Sequence, residues 1–218
     1  MATQHTVETL FEDSIQSAEL SDKQKAVLRA SLTLFSQKGF DHTTTSDIAT
    51  LAQVSEGTVF KQFRTKQALL NALLVPFLEH VIPKIASEFI DSAQHVQIPN
   101  FPDFLAYVLH DRMQFISDNQ HYLRIFVQEL ILHPANIQAL MANNQALIQQ
   151  GITTMELVLK QYQLTNQLVD WPAPRIGRYV IGVFVSHAGP QLVLNTEPQN
   201  VDRACDEALE FLLRGLQP

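Results

Sequence analysis

The side chains best suited to act on another molecule lie between Thr44 and Lys66, and the chemistry they suit is anion binding. Three helix starts crowd into this stretch: Thr44 or Thr45 ahead of Asp47-Ile48-Ala49, Ser55 ahead of Glu56-Gly57-Thr58, and Thr65 with Lys66 directly behind it. At such starts the first backbone N–H groups and the positive end of the helix dipole can meet a phosphate. The segment "VSEGTVFKQF", residues 54–63, adds a steric feature. Its front, Ser55 to Thr58, carries almost no bulk, whereas rings follow at Phe60 and Phe63. A helix built only to fill a core would place larger side chains there. Gly57 lets a sugar-phosphate chain come close, Val59 and Phe63 face back into a small core, and Lys61 and Gln62 point outward.

Other chemistries find less support. Of eight histidines, His110, His121 and His133 are the conspicuous ones, but spacings of eleven and twelve residues match no compact ligand motif. No acid pair or Gly-rich phosphate loop stands out, and "VSHAGP" lacks the glycine elbow of a hydrolase. The expectation is therefore no metal, no cofactor and no enzyme. Cys205, the single cysteine, has no disulfide partner and reads as a plain helix residue.

A formal charge of −7 argues, as an average, against a polyanionic partner. The distribution says otherwise. Residues 1–20 hold four acids and no base, residues 21–75 hold seven Lys/Arg against four Asp/Glu, and residues 76–218 hold eight against fourteen. The basic block is the one that contains the three helix starts.

The elements that position these residues are helices. Val27, Leu28, Leu32, Leu34 and Phe35 recur at helical spacing after a Ser21/Gln24 capping box, and Gly39 ends the run. Two short helices follow, joined by "QVS", and form a helix-turn-helix whose second member enters a DNA major groove. An ordinary αα-corner is the competing reading; the capped starts and local basic charge weigh against it. A fourth helix runs on from Thr65, with a kink or break expected at Pro76 and Pro83. Beyond residue 100 five further helix-length patterns appear, with joints at Asn119, Pro134, Trp171–Pro174 and Pro198–Asn200, and Pro190 expected to bend or end its helix. No alternating strand pattern occurs, so the fold is expected to be all-α: an N-terminal three-helix helix-turn-helix domain plus a larger C-terminal helical bundle, about nine helices in total. Residues 1–20 are expected to be a flexible acidic extension, with a loose helix through Val7, Leu10, Phe11 and Ile15 as the alternative.

Residues 34–74, "LFSQKGFDHTTTSDIATLAQVSEGTVFKQFRTKQALLNALL", resemble the DNA-binding domain of the TetR family of transcriptional regulators. The matching features are Phe35, Gly39 and Phe40 at the end of the first helix, the threonine run before Asp47-Ile48-Ala49, the Val54-Ser55-x-Gly57-Thr58 turn, Phe63, and the Thr65-Lys66 start of the linking helix. The resemblance implies a DNA-binding domain over 21–67 and a ligand-binding and dimerisation domain over 68–218. It further implies phosphate contacts at Thr44 or Thr45, Ser55, Phe60 and Lys66, and groove-facing positions at Glu56, Gly57, Thr58, Lys61 and Gln62. Loss of Lys66 would then flatten the salt dependence of binding by about one unit. Three departures stand out: Gln53 where the family often has glycine, Glu56 where it often has a base, and Phe60 where tyrosine is usual. Phe60 has no hydroxyl for a phosphate, which leaves it a packing role, and Glu56 either accepts from a cytosine amino group or repels the backbone.

In the larger part, an apolar cavity between helices is the usual place for a small molecule. Tyr107, His110, Phe126, Met155 and His187 are the candidates to line it, and the acidic surroundings favour an apolar or cationic effector. Ile181, Phe184, Val185, Leu209, Leu212 and Leu213 exceed one apolar stripe and suit a two-fold interface. These readings combine into a homodimeric, ligand-responsive regulator, a repressor of a palindromic operator, working in the cytoplasm with no membrane partner. The mean hydropathy is near zero and no consecutive apolar run approaches a membrane span. The alternatives are a regulator without a ligand and a helical enzyme using the histidine-bearing half.

Overall fold

The computed structural model of the chain describes residues 6–194, 196 and 200–218. Every regular element among these residues is a helix, as the apolar spacing requires. The elements are α1 (Val7–Ser17), α2 (Asp22–Lys38), α3 (Thr45–Leu51), α4 (Glu56–Gln62), α5 (Lys66–Pro76), a π turn (Phe77–Val81), α6 (Ile82–His95), α7 (Phe101–Leu132), α8 (Pro134–Asn143), α9 (Gln145–Leu164), α10 (Ala173–Val193) and α11 (Val201–Leu216). Eleven α-helices against about nine expected reflect four differences. The extension forms α1, the proline-bearing run is divided by the π turn, Asn119 makes no joint, and Asn144 divides α8 from α9. Asn119 stays inside α7 because its side-chain amide is buried and donates to Phe115 O at 2.8 Å, one turn back in its own helix. Pro190 likewise leaves α10 intact until Val193. Of the joint at Pro198–Asn200, Pro198 and Gln199 lie outside the described residues, and Asn200 caps α11 by accepting from Arg203 N at 2.9 Å.

The chain divides into two compact units, one of residues up to Ile85 with His121–Asn143, the other of Ala86–Gln120 with Asn144–Pro218. This division differs from the sequence boundary at residue 67. In the first unit Leu28 and Phe35 of α2, Ile48 of α3, Val59 of α4 and Leu69 and Leu73 of α5 are buried together. The segment expected to be a flexible extension is, from Val7 to Ser17, a packed helix. Residues 1–5 lie outside the described residues. Thr6 caps α1 by accepting from Thr9 N at 3.1 Å, and Val7, Leu10, Phe11 and Ile15 are buried along one face. Phe11 stacks on Phe126 with ring centroids 5.7 Å apart, and Phe126 stacks on Phe77 at 3.8 Å. On the polar edge Arg29 Nε donates to both Glu12 oxygens, at 2.8 and 3.0 Å, and Lys25 Nζ donates to Gln16 O at 2.7 Å. The Tyr122 hydroxyl of α7 is pushed up to about 12 by burial first and by the adjacent Glu8 carboxylate second. Four apolar residues at helical spacing outweigh the acidic composition, because the acids occupy the other face.

The run Lys66–His95 stays helical through its prolines, with a π turn at Phe77–Val81 between them. Ile82 N–H bonds Phe77 O five residues back, and this wider turn lies where Pro83 would otherwise press on a carbonyl four residues earlier. The run has a window of mean hydropathy 1.4, long and apolar enough by composition to cross a membrane. Its Leu69, Leu70, Leu73, Leu74, Phe77 and Val81 are nonetheless core residues of the first unit.

In the second unit Phe101, Phe104, Leu109, Tyr162, Ala208 and Leu212 belong to one core. Tyr162 Oη donates to Ile98 O at 2.7 Å, so the ring is buried without orphaning its hydroxyl. Cys205 lies in this core, its thiol pushed up to about 11 by burial and then by Asp202 and Asp206, an inert setting for a thiol. Because Phe11 is fully buried at one end of the first unit's ring stack, Phe11→Ala should destabilise that unit by about 3 kcal/mol, measured by urea denaturation followed by circular dichroism.

Candidate nucleic-acid interface and apolar cavity

The turn between α3 and α4 is fixed by backbone hydrogen bonds. Val54 N donates to Ala49 O at 3.0 Å and Gln53 N to Thr50 O at 3.2 Å, the pair that defines a Schellman helix end. Such an end needs a left-handed residue, and Gln53 takes that conformation with φ at +54°. The position where the family pattern has glycine is thus a position whose backbone asks for it. Gln53 adopts it at a cost.

Caps set both helices. Thr44, and not Thr45, is the N-cap of α3: its hydroxyl accepts from Asp47 N at 3.1 Å while Thr44 N donates to Asp47 Oδ2 at 3.0 Å. These bonds from Thr44 hold the Asp47 carboxyl below its usual range, with Lys38, 3.8 Å away, adding less. Ser55 caps α4, its Oγ accepting from Thr58 N at 3.2 Å, and Thr65 caps α5, accepting from Ala68 N at 3.0 Å. Buried Thr43 donates to Gly39 O at 2.8 Å, tying the threonine run to the end of α2.

The front of α4 is open. Ser55, Glu56, Gly57 and Lys61 are exposed, Thr58 and Gln62 are half-buried, and Val59 is buried. A Cβ on Gly57 would meet only Ser55 Oγ, at 3.9 Å. Phe60, given a packing role from sequence, keeps 47% of its surface exposed on this face. Glu56 is not loose: Thr45 Oγ1 donates to Glu56 Oε1 at 2.8 Å, bridging the starts of α3 and α4. Nothing in the spacing of Thr45 and Glu56 announces this bond. Lys66 differs most from its expected role. Its Nζ donates to Phe40 O at 2.8 Å, Thr43 O at 3.2 Å and Asp41 O at 3.4 Å, and lies 4.4 Å from the Phe40 ring centroid. Its three N–H bonds are directed at the α2–α3 connection.

The second unit holds an apolar cavity of about 340 Å³. Of the five ligand candidates only Met155 lines it. Phe126 belongs to the ring stack of the first unit. His110 is exposed, with Nε2 3.2 Å from Asp202 Oδ1. Tyr107 and His187 are half-buried outside the lining, and burial, then the Asp111 charge, raises the Tyr107 hydroxyl. The walls come instead from residues that read as ordinary core, such as Phe104 and Leu159, and from Gly177, an odd residue inside an apolar helix. The acidic surroundings predicted from composition do not reach this cavity: no carboxylate lines it. A larger groove of about 540 Å³ is lined by Gln94, Gln97 and Gln161 and is far more polar. Among the described residues no three His, Cys, Asp or Glu side chains gather as a metal site.

Of the residues expected at a two-fold interface, Ile181 is 62% exposed and Val185 is also exposed, while Phe184, Leu209 and Leu213 are half-buried. Leu212 is 3% exposed and packs in its own core, a correction to its expected place at the surface; its neighbour Phe211 takes that place at 68%. The apolar excess in α11 hid which residue points outward.

Residues 27–73, which span the helix-turn-helix, match the family described as "Bacterial regulatory proteins, tetR family". An uncharacterized HTH-type transcriptional regulator of Bacillus subtilis (strain 168), YvkB, is 48% identical over 50 residues, 23% of this chain and 26% of YvkB. The chain thus matches about a quarter of the length of that curated relative. Among solved structures, the TetR family transcriptional regulator PfmR from Thermus thermophilus aligns with a TM-score of 0.57 at 17% identity, over 88% of this chain and 99% of PfmR. FadR from Bacillus subtilis in complex with stearoyl-CoA aligns at 0.55 and 16%, over 87% and 97%. Residues 27–73 thus match the DNA-binding regulators of the tetR family, and the helical fold of the chain is shared with solved TetR family structures. Since Gln53 is strained in the turn of the matched domain, Gln53→Gly should raise stability by roughly 0.5–1 kcal/mol, the relief of the left-handed conformation less the added freedom of the unfolded chain. Thermal denaturation of the two proteins side by side measures it.

Proposed function

We propose that this chain is a ligand-responsive transcriptional repressor that binds a palindromic operator as a homodimer in the cytoplasm. Residues 21–67 read the DNA, and residues 68–218 bind the effector and the second copy. The observation that carries this reading is the bare front of α4, open beside the capped start of α3 in the one basic segment of an acidic chain. Thr44, Ser55, Phe60 and Lys61 meet the backbone, and Gly57, Thr58 and Gln62 line the groove side. Thr45 acts through Glu56, holding its carboxylate across the turn so that it faces the bases in one orientation. Two such helices on a symmetric dimer enter successive major grooves about 34–36 Å apart.

The cavity supports an effector, and the complex of the FadR relative with stearoyl-CoA supports ligand binding in this fold. The effector releases DNA only if it binds the operator-incompetent conformation more tightly. The exposed Ile181 and Val185 of α10, with Phe211 of α11, support the contact with the second copy. Val185→Glu, outside the cavity lining, should lower the dimer fraction in sedimentation and weaken operator binding in proportion.

Footprinting of the purified protein on duplex flanking its own gene tests the reading. Protection of a two-fold site supports it, and no protection in dilute salt ends it. Because Lys66 directs its N–H groups at carbonyls, Lys66→Ala should weaken binding to every duplex while leaving the salt slope unchanged. A slope shallower by about one unit would instead restore Lys66 as a phosphate contact.

A further inference from the structure

We infer that the apolar cavity of the second unit takes the hydrocarbon chain of an amphiphile, about eleven carbons long, and leaves the polar head outside; this rests on the ligand-responsive reading and specifies its effector. The lining side chains come from α6, α7, α9 and α10, and they include no hydroxyl, amide or carboxylate. Arg112 is the one charged residue among them, and its guanidinium is already engaged. Nε donates to Asp111 Oδ2 at 2.6 Å, and the guanidinium carbon lies 4.3 Å from the Phe89 ring centroid and 5.2 Å from that of Phe115. A polar ligand atom drawn inside would leave water and meet only the Arg112 guanidinium, whose Nε and Nη2 already face Asp111. Each methylene drawn inside gains about fourfold in association. The two effects select a chain and exclude its head.

Volume gives the length. At roughly 30 Å³ per methylene, the share of one water in the liquid, 340 Å³ holds about eleven carbons. Gly177 keeps part of that room: it lies on the wall, in the interior of α10, and a Cβ there would meet no atom within 4 Å. Helix interiors disfavour glycine relative to residues with side chains, so its presence on this wall coincides with open space.

The test is isothermal titration of the full-length protein with straight-chain alcohols and with carboxylic acids of matching length. Association should rise about fourfold per carbon up to about eleven and then level off. Alcohol and acid of one length should differ by less than one added carbon does. Gly177→Leu, which adds four carbons of bulk to the wall and favours the helix, should bring the levelling about four carbons earlier while leaving operator binding intact. Acids binding more than about tenfold tighter than alcohols, a plateau that ignores Gly177→Leu, or no dependence on length would each overturn the inference. Protein that holds its duplex yet binds no chain sinks this assignment alone. Chains that bind as described without releasing the duplex support the cavity assignment and sink the effector-release reading.

Discussion

A single left-handed residue governs the geometry of α3 and α4. With φ at +54°, Gln53 turns the chain so that Val54 N and Gln53 N can reach back to α3, and only then does Ser55 stand where it can cap α4. Every other feature of the interface follows from that exit direction. Glu56 comes within reach of Thr45, Val59 drops into the core, and Phe60 is left on the outside. Non-glycine residues hold such a conformation only when their surroundings over-determine it. Here the surroundings are two backbone bonds and a cap on either side.

Much of this was legible in the chain itself, because its signals are local. Hydroxyl residues before acidic or small residues announce caps, and the Ser21, Thr44, Ser55 and Thr65 caps all form. What was not legible depends on residues distant in sequence. Lys66 reads as a surface cation beside a helix start, yet its carbonyl partners lie more than twenty residues earlier. Phe126 reads as a cavity ring, but two other rings already flank it. Composition misled in the first twenty residues, where an average over acids concealed a buried stripe at Val7, Leu10, Phe11 and Ile15. The cavity was harder still, since a wall residue and a core residue have the same chemistry and differ only in what lies beyond them.

α1 changes what the helix-turn-helix rests on. Glu12 and Gln16 receive Arg29 and Lys25 from α2, while Phe11 on another face meets Phe126. The half-exposed ion pair adds little by itself in water; the buried rings carry most of the energy and the charges fix the angle at which the helix lies. A segment outside the family match at 27–73 is therefore part of the first unit's framework.

The π turn at Phe77–Val81 inserts, in effect, one residue into an otherwise regular helix. Each helical residue advances the face by about 100°, so the side chains after Ile82 occupy a phase offset by that amount from the one Lys66–Pro76 would project. Counting heptads straight across the run would assign inward and outward positions wrongly on its far side. Relatives of different length here can preserve both faces only by gaining or losing whole turns, and a one-residue deletion would rotate one end of the helix against the other.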